Sequence, residues 1–445
     1  MQNILFRVGG CLLASIVLAS GSQFSGVVLD AGTAKPISGA IITAGCKIAR
    51  TDAKGRFQID GNGSTVQARA YGYTRSGITA DGHNFNSLEL KLKPFIPRAV
   101  YLSFWGVGTA SVREPVLKLA ESTPVNAVVI DVKGDLGLIS FKVAVPLATE
   151  IGAQKTITVP DIHALLDRLH KQGLYAIARI VTFKDNALCT AQPALAVHRN
   201  GAIFKDREGL AWCDPFLPEV REYNIDIAVE AAKAGFDEIE FDYVRFPDAK
   251  GVEFSQASTD ESRPKAITGF LTEARQKLVP YNVFLAADVF GYICWNKGDT
   301  GIGQRINDVA GVLDYISPML YPSGFSFGIP NYRNPIEHPY EIVRLTLDRA
   351  AERAQISPIR FRPWLQAFAD YAFDKRRFGR KEIQEQIEAA QSFGSDGWLL
   401  WNPKNVYAAA EMRAPLPAIR TASAVRLAAE NPVSTPAAGG RQSIK

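Results

Sequence analysis

The chain holds few of the residues on which metal and acyl-transfer chemistries depend: five histidines and five cysteines among 445 residues. The histidines, at 83, 163, 170, 198 and 338, all fall away from the strand ends read below. His163 and His170 share a helix but stand seven apart, without metal-ligand spacing. No Gly-x-Ser-x-Gly elbow is read, and no strand-end serine has a histidine in view. Hydrolysis by zinc or by a serine triad is therefore not expected, and no metal or cofactor is assigned. Charge of one sign is also scarce. A net charge of +5 gives little support to a nucleic-acid partner. The densest basic cluster, Lys375, Arg376, Arg377, Arg380 and Lys381, reads as a solvated loop and helix start.

Long apolar runs are missing as well. Gly9 to Leu18 is too short for a membrane span. Preceded by Arg7 and followed by Ala19, Ser20 and Gly21, it reads as a secretory signal over residues 1–21. No cysteine follows that would take a lipid anchor. Export to a periplasm or medium is expected, with no stable membrane span after cleavage. Setting Cys11 aside leaves Cys46, Cys189, Cys213 and Cys294. Cys189 and Cys213 share one long insertion, and in an oxidising compartment they could be bridged, which spacing does not decide. From about Ala414 the chain is rich in Ala, Pro, Ser and Gly, so residues 413–445 are expected to form a disordered tail.

What is present falls into two patterns. Residues 24–95 carry short β-type runs, Phe24 to Asp30, Gly39 to Ala44, Gly55 to Ile59, Thr65 to Ala70 and Leu88 to Leu92. Turn signals separate them, as in a small all-β sandwich. The series Ser25-Gly-Val-Val, Lys35-Pro-Ile-Ser-Gly-Ala and Thr51-Asp-Ala-Lys-Gly-Arg-Phe resembles the carboxypeptidase regulatory-like domain. That resemblance implies an accessory module without chemistry of its own.

Over residues 96–412 strand and helix alternate. The strand runs are Ala99 to Val107, Asn126 to Val132, Tyr175 to Phe183, Phe236 to Val244, Val283 to Gly291, Asp314 to Tyr321, Arg362 to Phe368 and Gly397 to Asn402. Amphipathic helices lie between them. In Pro218 to Ala234, proline suits the first helical position and Gly235 the end. Pro160 to Lys171, Pro264 to Leu278, Pro339 to Ala354 and Lys381 to Phe393 behave alike. Eight repeats without a glycine-rich phosphate loop after the first strand predict an α/β fold, a (β/α)8 TIM barrel, rather than a doubly wound sheet.

Gly235 to Pro247 is the most telling stretch. Ile239, Phe241 and Tyr243 alternate with Glu238, Glu240 and Asp242, which puts the carboxylates inside the barrel and Asp242 near its mouth. Other predicted strand ends are polar too, with Asp131, Lys133, Arg179, Asp288, Tyr321, Trp364, Gln366, Trp401 and Asn402; Arg245 follows the fourth strand. Two carboxylates across a cleft are the minimum apparatus for glycoside hydrolysis, one giving a proton and the other attacking or activating water. Asp242 is expected as nucleophile or base and Asp288 as acid, with Asp131, Glu240 and Asp370 as rivals. Asp131, Lys133, Arg179, Glu240, Arg245, Tyr321, Trp364, Gln366, Trp401 and Asn402 are the candidate substrate-binding residues. Glu240 could instead brace the interior through Arg179, and Asp131 and Lys133 could pair with each other. Segments Lys184 to Phe216, with Trp212 and Asp214, and Ser323 to His338, with Asn331 and Tyr332, are expected to overhang the mouth.

Ala127-Val-Val-Ile-Asp-Val-Lys-Gly134, Gly235 to Pro247, Ile316-Ser-Pro-Met-Leu-Tyr-Pro-Ser323, Arg362-Pro-Trp-Leu-Gln-Ala-Phe368 and Gly397-Trp-Leu-Leu-Trp-Asn402 together resemble the "putative glycoside hydrolase" family of bacterial TIM barrels, formerly a domain of unknown function. The likeness covers nearly all of residues 98–410. It implies a barrel acting on a polysaccharide or oligosaccharide. The more distant α-amylase and α-galactosidase types are similar in placing an aspartate nucleophile at the end of the fourth strand, which Asp242 matches. Of their acids, the α-amylase type has one on the fifth strand, where this chain has Asp288 rather than glutamate. Family members often carry a histidine just after the Tyr-Pro-Ser of the sixth strand, where this chain has Gly324. A non-catalytic barrel that binds glycan or a surface protein is the alternative reading.

Overall fold

The computed structural model describes residues 22–61, 64–79 and 85–412. The expected signal and tail lie outside these residues. Among the described residues no helix is long and apolar enough to cross a membrane. The chain divides into two compact units, one of residues up to Phe95 with Gln276–Val283, the other of Ile96–Arg275 with Phe284 onward.

The first unit contains two sheets. Arg56–Gly61, Ser22–Asp30 and Leu88–Leu92 form one, in that order, and Lys47–Arg50, Ile41–Ala44, Thr65–Arg69 and Ser76–Thr79 form the other. Phe24, Val28, Ile42, Phe57, Ile59, Val66 and Leu90 fill a shared core. Arg56–Gly61 alternates exposed and buried residues, as a strand with one wet face does. Lys47–Arg50 and Ser76–Thr79 were not predicted. Both are four-residue outer strands, and their sequences carry little apolar alternation.

The second unit is a closed barrel of eight parallel strands in chain order. They are Arg98–Leu102, Ala127–Lys133, Tyr175–Val181, Glu238–Asp242, Phe284–Phe290, Tyr315–Met319, Trp364–Gln366 and Trp398–Trp401, called here strands one to eight. The (β/α)8 expectation holds. Strands two, three and four are buried at every residue, because helices cover the outer face and side chains fill the inner one. Helices Pro218–Ala234 and Pro339–Ala354 have the predicted bounds. Gly235 closes the first of these at φ 113°, a left-handed conformation that glycine adopts without the Cβ clash. Strand one stops sooner than expected. Ser103 caps a short helix, Phe104–Gly108, by accepting a bond from the Gly106 amide, so the apolar run to Val107 is strand followed by helix.

Candidate active site

Strand four sets the site. Its inner face carries Glu238, Glu240 and Asp242 at three successive depths, while Phe241 packs outward on Phe270, with ring centres 4.8 Å apart. Glu238, the deepest, accepts from both Arg362 (2.6 and 2.7 Å) and the Tyr175 hydroxyl (3.0 Å). The alternation ends at Tyr243, whose φ of 48° turns it out of the strand. Tyr243 lines the mouth instead of facing a helix, which corrects its predicted placement.

Asp242, at the end of strand four, and Asp288, on strand five, line one cavity of about 210 Å³. Arg179 of strand three reaches across to hold them. Its Nε donates to Asp242 Oδ2 at 3.0 Å, its Nη2 bonds the same oxygen, and its Nη1 donates to Asp131 Oδ1 at 2.6 Å. Asp288 Oδ2 lies 3.9 Å from the Arg179 Nε. The guanidinium also sits over Trp401, 4.8 Å from its ring centre. Asp131 is in turn fixed by the Tyr101 hydroxyl at 2.6 Å and the Phe104 amide at 3.1 Å.

The two cavity carboxyls have unlike surroundings. Asp242 has the guanidinium and accepts from the Tyr243 amide at 2.6 Å. Asp288 accepts from the Trp364 indole at 2.6 Å, but burial and then the charges of Glu240 and Asp242 push its carboxyl well above the ordinary carboxylate range. Glu240 is fully buried behind it, with the Asp288 carboxyl and the Ser317 hydroxyl as its polar neighbours. Burial, reinforced by the charge of Glu238, pushes Glu240 up to about 7. Two adjacent buried carboxyls resist ionising together, so Asp288 and Glu240 titrate as a pair that retains a proton.

Of the predicted binding residues, Arg179, Arg245, Tyr321 and Trp401 line the cavity with the two aspartates. Tyr321 has its hydroxyl pushed well up, by burial and then by Asp288 and Asp242. The other predicted binding residues act from behind. Asp131 positions Arg179, Trp364 holds Asp288, and Glu240 pairs with Asp288 rather than with Arg179.

Lys133 is wholly buried and pairs not with Asp131 but with Asp185 (2.8 Å) and Asn224 (2.6 Å), so it anchors the segment after strand three. Gln366 accepts from the Ser323 amide and donates to its hydroxyl, holding the loop after strand six. Asn402 bonds the carbonyls of Ala367 and Val406. Asp370 is committed to the Ser323 hydroxyl and four successive amides, Ala372 to Lys375, which hold it below the usual range and exclude it as an acid.

The overhanging loops contribute in part. Trp212 packs behind Tyr243 (5.6 Å) and Arg245 (4.8 Å). Gly324 and Phe325 line the cavity, whereas Asn331 and Tyr332 close a tight turn with Ile329 and do not. Phe290, Gly291, Tyr292, Met319 and Tyr371 complete the wall unpredicted. Gly291 is required by proximity, since a Cβ there would meet the Met319 carbonyl and the Phe325 ring, each at 2.7 Å. The Phe290-Gly-Tyr sequence at the end of strand five is the signal that could have found this wall.

Gly324-Phe-Ser-Phe-Gly328 does spell Gly-x-Ser-x-Gly, against the expectation that no elbow occurs. It starts at the last residue of a 3-10 turn, Ser326 is exposed, and no α-helix begins before Pro339, so the strand–turn–helix context of a nucleophile elbow is missing.

The chain is similar to solved structures. A hypothetical protein from Ruminiclostridium thermocellum is 36% identical across 43% of this chain and 97% of its own, with a TM-score of 0.38. The PgaB (BpsB) glycoside hydrolase domain from Bordetella bronchiseptica is 13% identical across 70% of this chain and 95% of its own, with a TM-score of 0.50, a likeness of fold. No curated protein matches the chain. The family model described as "putative glycosyl hydrolase domain" matches residues 99–407, from strand one past the end of strand eight, and the chain belongs to that family.

Proposed function

We propose that the protein is an exported glycoside hydrolase that cleaves a polysaccharide, with Asp242 as nucleophile or base and Asp288 as acid. One observation carries the reading: the two carboxyls share a cavity, one against a guanidinium and the other against a second carboxyl. Glycosidic cleavage needs this asymmetry. The Asp288 carboxyl gives its proton to the leaving oxygen. Asp242 attacks the anomeric carbon or takes a proton from the attacking water. Arg179 keeps Asp242 in place and balances its charge. The aromatic wall of Phe290 and Tyr292 offers apolar ring surface that suits a sugar ring. Export rests on the N-terminal pattern of Arg7, the apolar run and the small residues after it.

The test is a screen of the purified protein against a panel of polysaccharides, with product detection beside binding. Asp242→Asn is expected to abolish turnover while the circular dichroism spectrum stays that of the parent. Retained turnover would remove Asp242 from the mechanism. Binding without cleavage by the parent protein across a wide pH range would identify a non-catalytic glycan-binding barrel.

A further inference from the structure

We propose that Cys189 and Cys213 form a disulfide that staples the segment behind the cavity wall. The two Sγ atoms lie 2.8 Å apart, and both residues are fully buried. That gap is about 0.8 Å longer than an S–S bond of about 2.05 Å, a distance that small side-chain adjustments close. No hydrogen bond joins Cys46 or Cys294 to another cysteine among the described residues, and the two differ in setting, Cys46 being exposed and Cys294 buried.

The pair joins two separately anchored pieces of chain. Cys189 lies on the helix Asn186–Ala191, whose cap, Asp185, is ion-paired with the buried Lys133. Cys213 lies in an extended stretch, its amide bonded to the Phe183 carbonyl at 2.8 Å and its backbone bridged to Ala196. The residue before it, Trp212, supports Tyr243 and Arg245 of the cavity wall. A covalent link therefore ties the wall's backing to the helix that Lys133 holds. The proposal depends on the local geometry and not on the reaction assigned to the site.

In the reaction each thiol gives up its proton, one S–S bond forms, and two electrons pass to an external disulfide such as oxidised glutathione, which leaves as two thiols. Exchange needs a thiolate. Burial, then the neighbouring Cys189, pushes the Cys213 thiol well up, and neither sulfur is exposed. The bond accordingly forms while the segment folds and only slowly in the folded, reduced protein.

The experiment refolds the reduced full chain in a glutathione redox buffer and maps peptides without reduction. The expected result is one linked peptide pair containing Cys189 and Cys213, with two fewer thiols titrating after denaturation than in reduced protein. Limited proteolysis within residues 184–216 should slow several-fold relative to Cys189→Ser. Recovery of both cysteines as free thiols, or their linkage to Cys46 or Cys294, would overturn the proposal, and the mapping needs no variant to fold.

Discussion

The barrel holds two buried arginine–carboxylate clusters, one at each end, and their difference separates structure from chemistry. At the N-terminal end Arg362 binds Glu238 through two short bonds and stands 3.6 Å from Asp396, with Tyr315 beneath its guanidinium at 3.9 Å. None of these residues lines the cavity. At the C-terminal end Arg179 faces Asp131, Asp242 and Asp288, with Glu240 behind them. The Arg179 guanidinium there faces three carboxyls with a fourth, Glu240, behind them, and the cavity, which Arg245 also lines, opens beside two of them. A buried ion pair is therefore weak evidence of function. A surplus of acidic groups next to open space is stronger evidence, because the surplus keeps a transferable proton.

The largest expected effects would break this contrast. Asp288→Asn should lower turnover of an intact glycan by about 10²–10⁴-fold, the range for a lost general acid, with little change in substrate affinity. Arg362→Met should do the reverse. It leaves Glu238 without its cation in the interior and should cost about 3–5 kcal/mol of stability in denaturant unfolding, while the surviving folded fraction turns over normally. If Arg362→Met instead abolished turnover in stable protein, the two ends would not be separable.

A smaller effect concerns pH. Glu240 is raised to about 7, so its protonated form contributes stability that is complete below the ordinary glutamate value near 4.5 and is lost as pH rises through about 7. Turnover should fall on the alkaline side as the Asp288–Glu240 pair loses its shared proton. Glu240→Gln removes a negative neighbour from Asp288, so the alkaline limb should move to lower pH. An unchanged profile would show that the pair does not govern the reaction. The smallest effect belongs to the surface. Arg168 and Glu114 are partly exposed partners, and Arg168→Ala should change stability by under about 1 kcal/mol, a difference that thermal unfolding can bound.

How far the sequence could be read follows from what each feature depends on. The barrel was legible because its strands and helices carry local periodicity. Helix Pro218–Ala234 even announces both ends, by its proline and by Gly235. Strand one was overread because its apolar run continues through the Ser103 cap into a helix. At the mouth, Asp242, Asp288 and Arg179 were legible because alternation along a strand fixes which residues point inward. Depth was not legible. Glu240 faces inward as Asp242 does, yet a neighbouring carboxyl claims it, and Lys133 follows a register shift in strand two that breaks the alternation and turns it to Asp185 and Asn224. The loop residues Phe325 and Tyr371 have no periodic pattern, and only the folded chain brings them to the cavity.

The division of labour between the two aspartates is tested most directly by changing the leaving group. On a panel of dinitrophenyl glycosides, whose leaving group departs without a proton, Asp288→Asn should retain cleavage while losing the unactivated glycan, and Asp242→Asn should lose both. Parent-level cleavage of both substrate types by either variant would contradict the account.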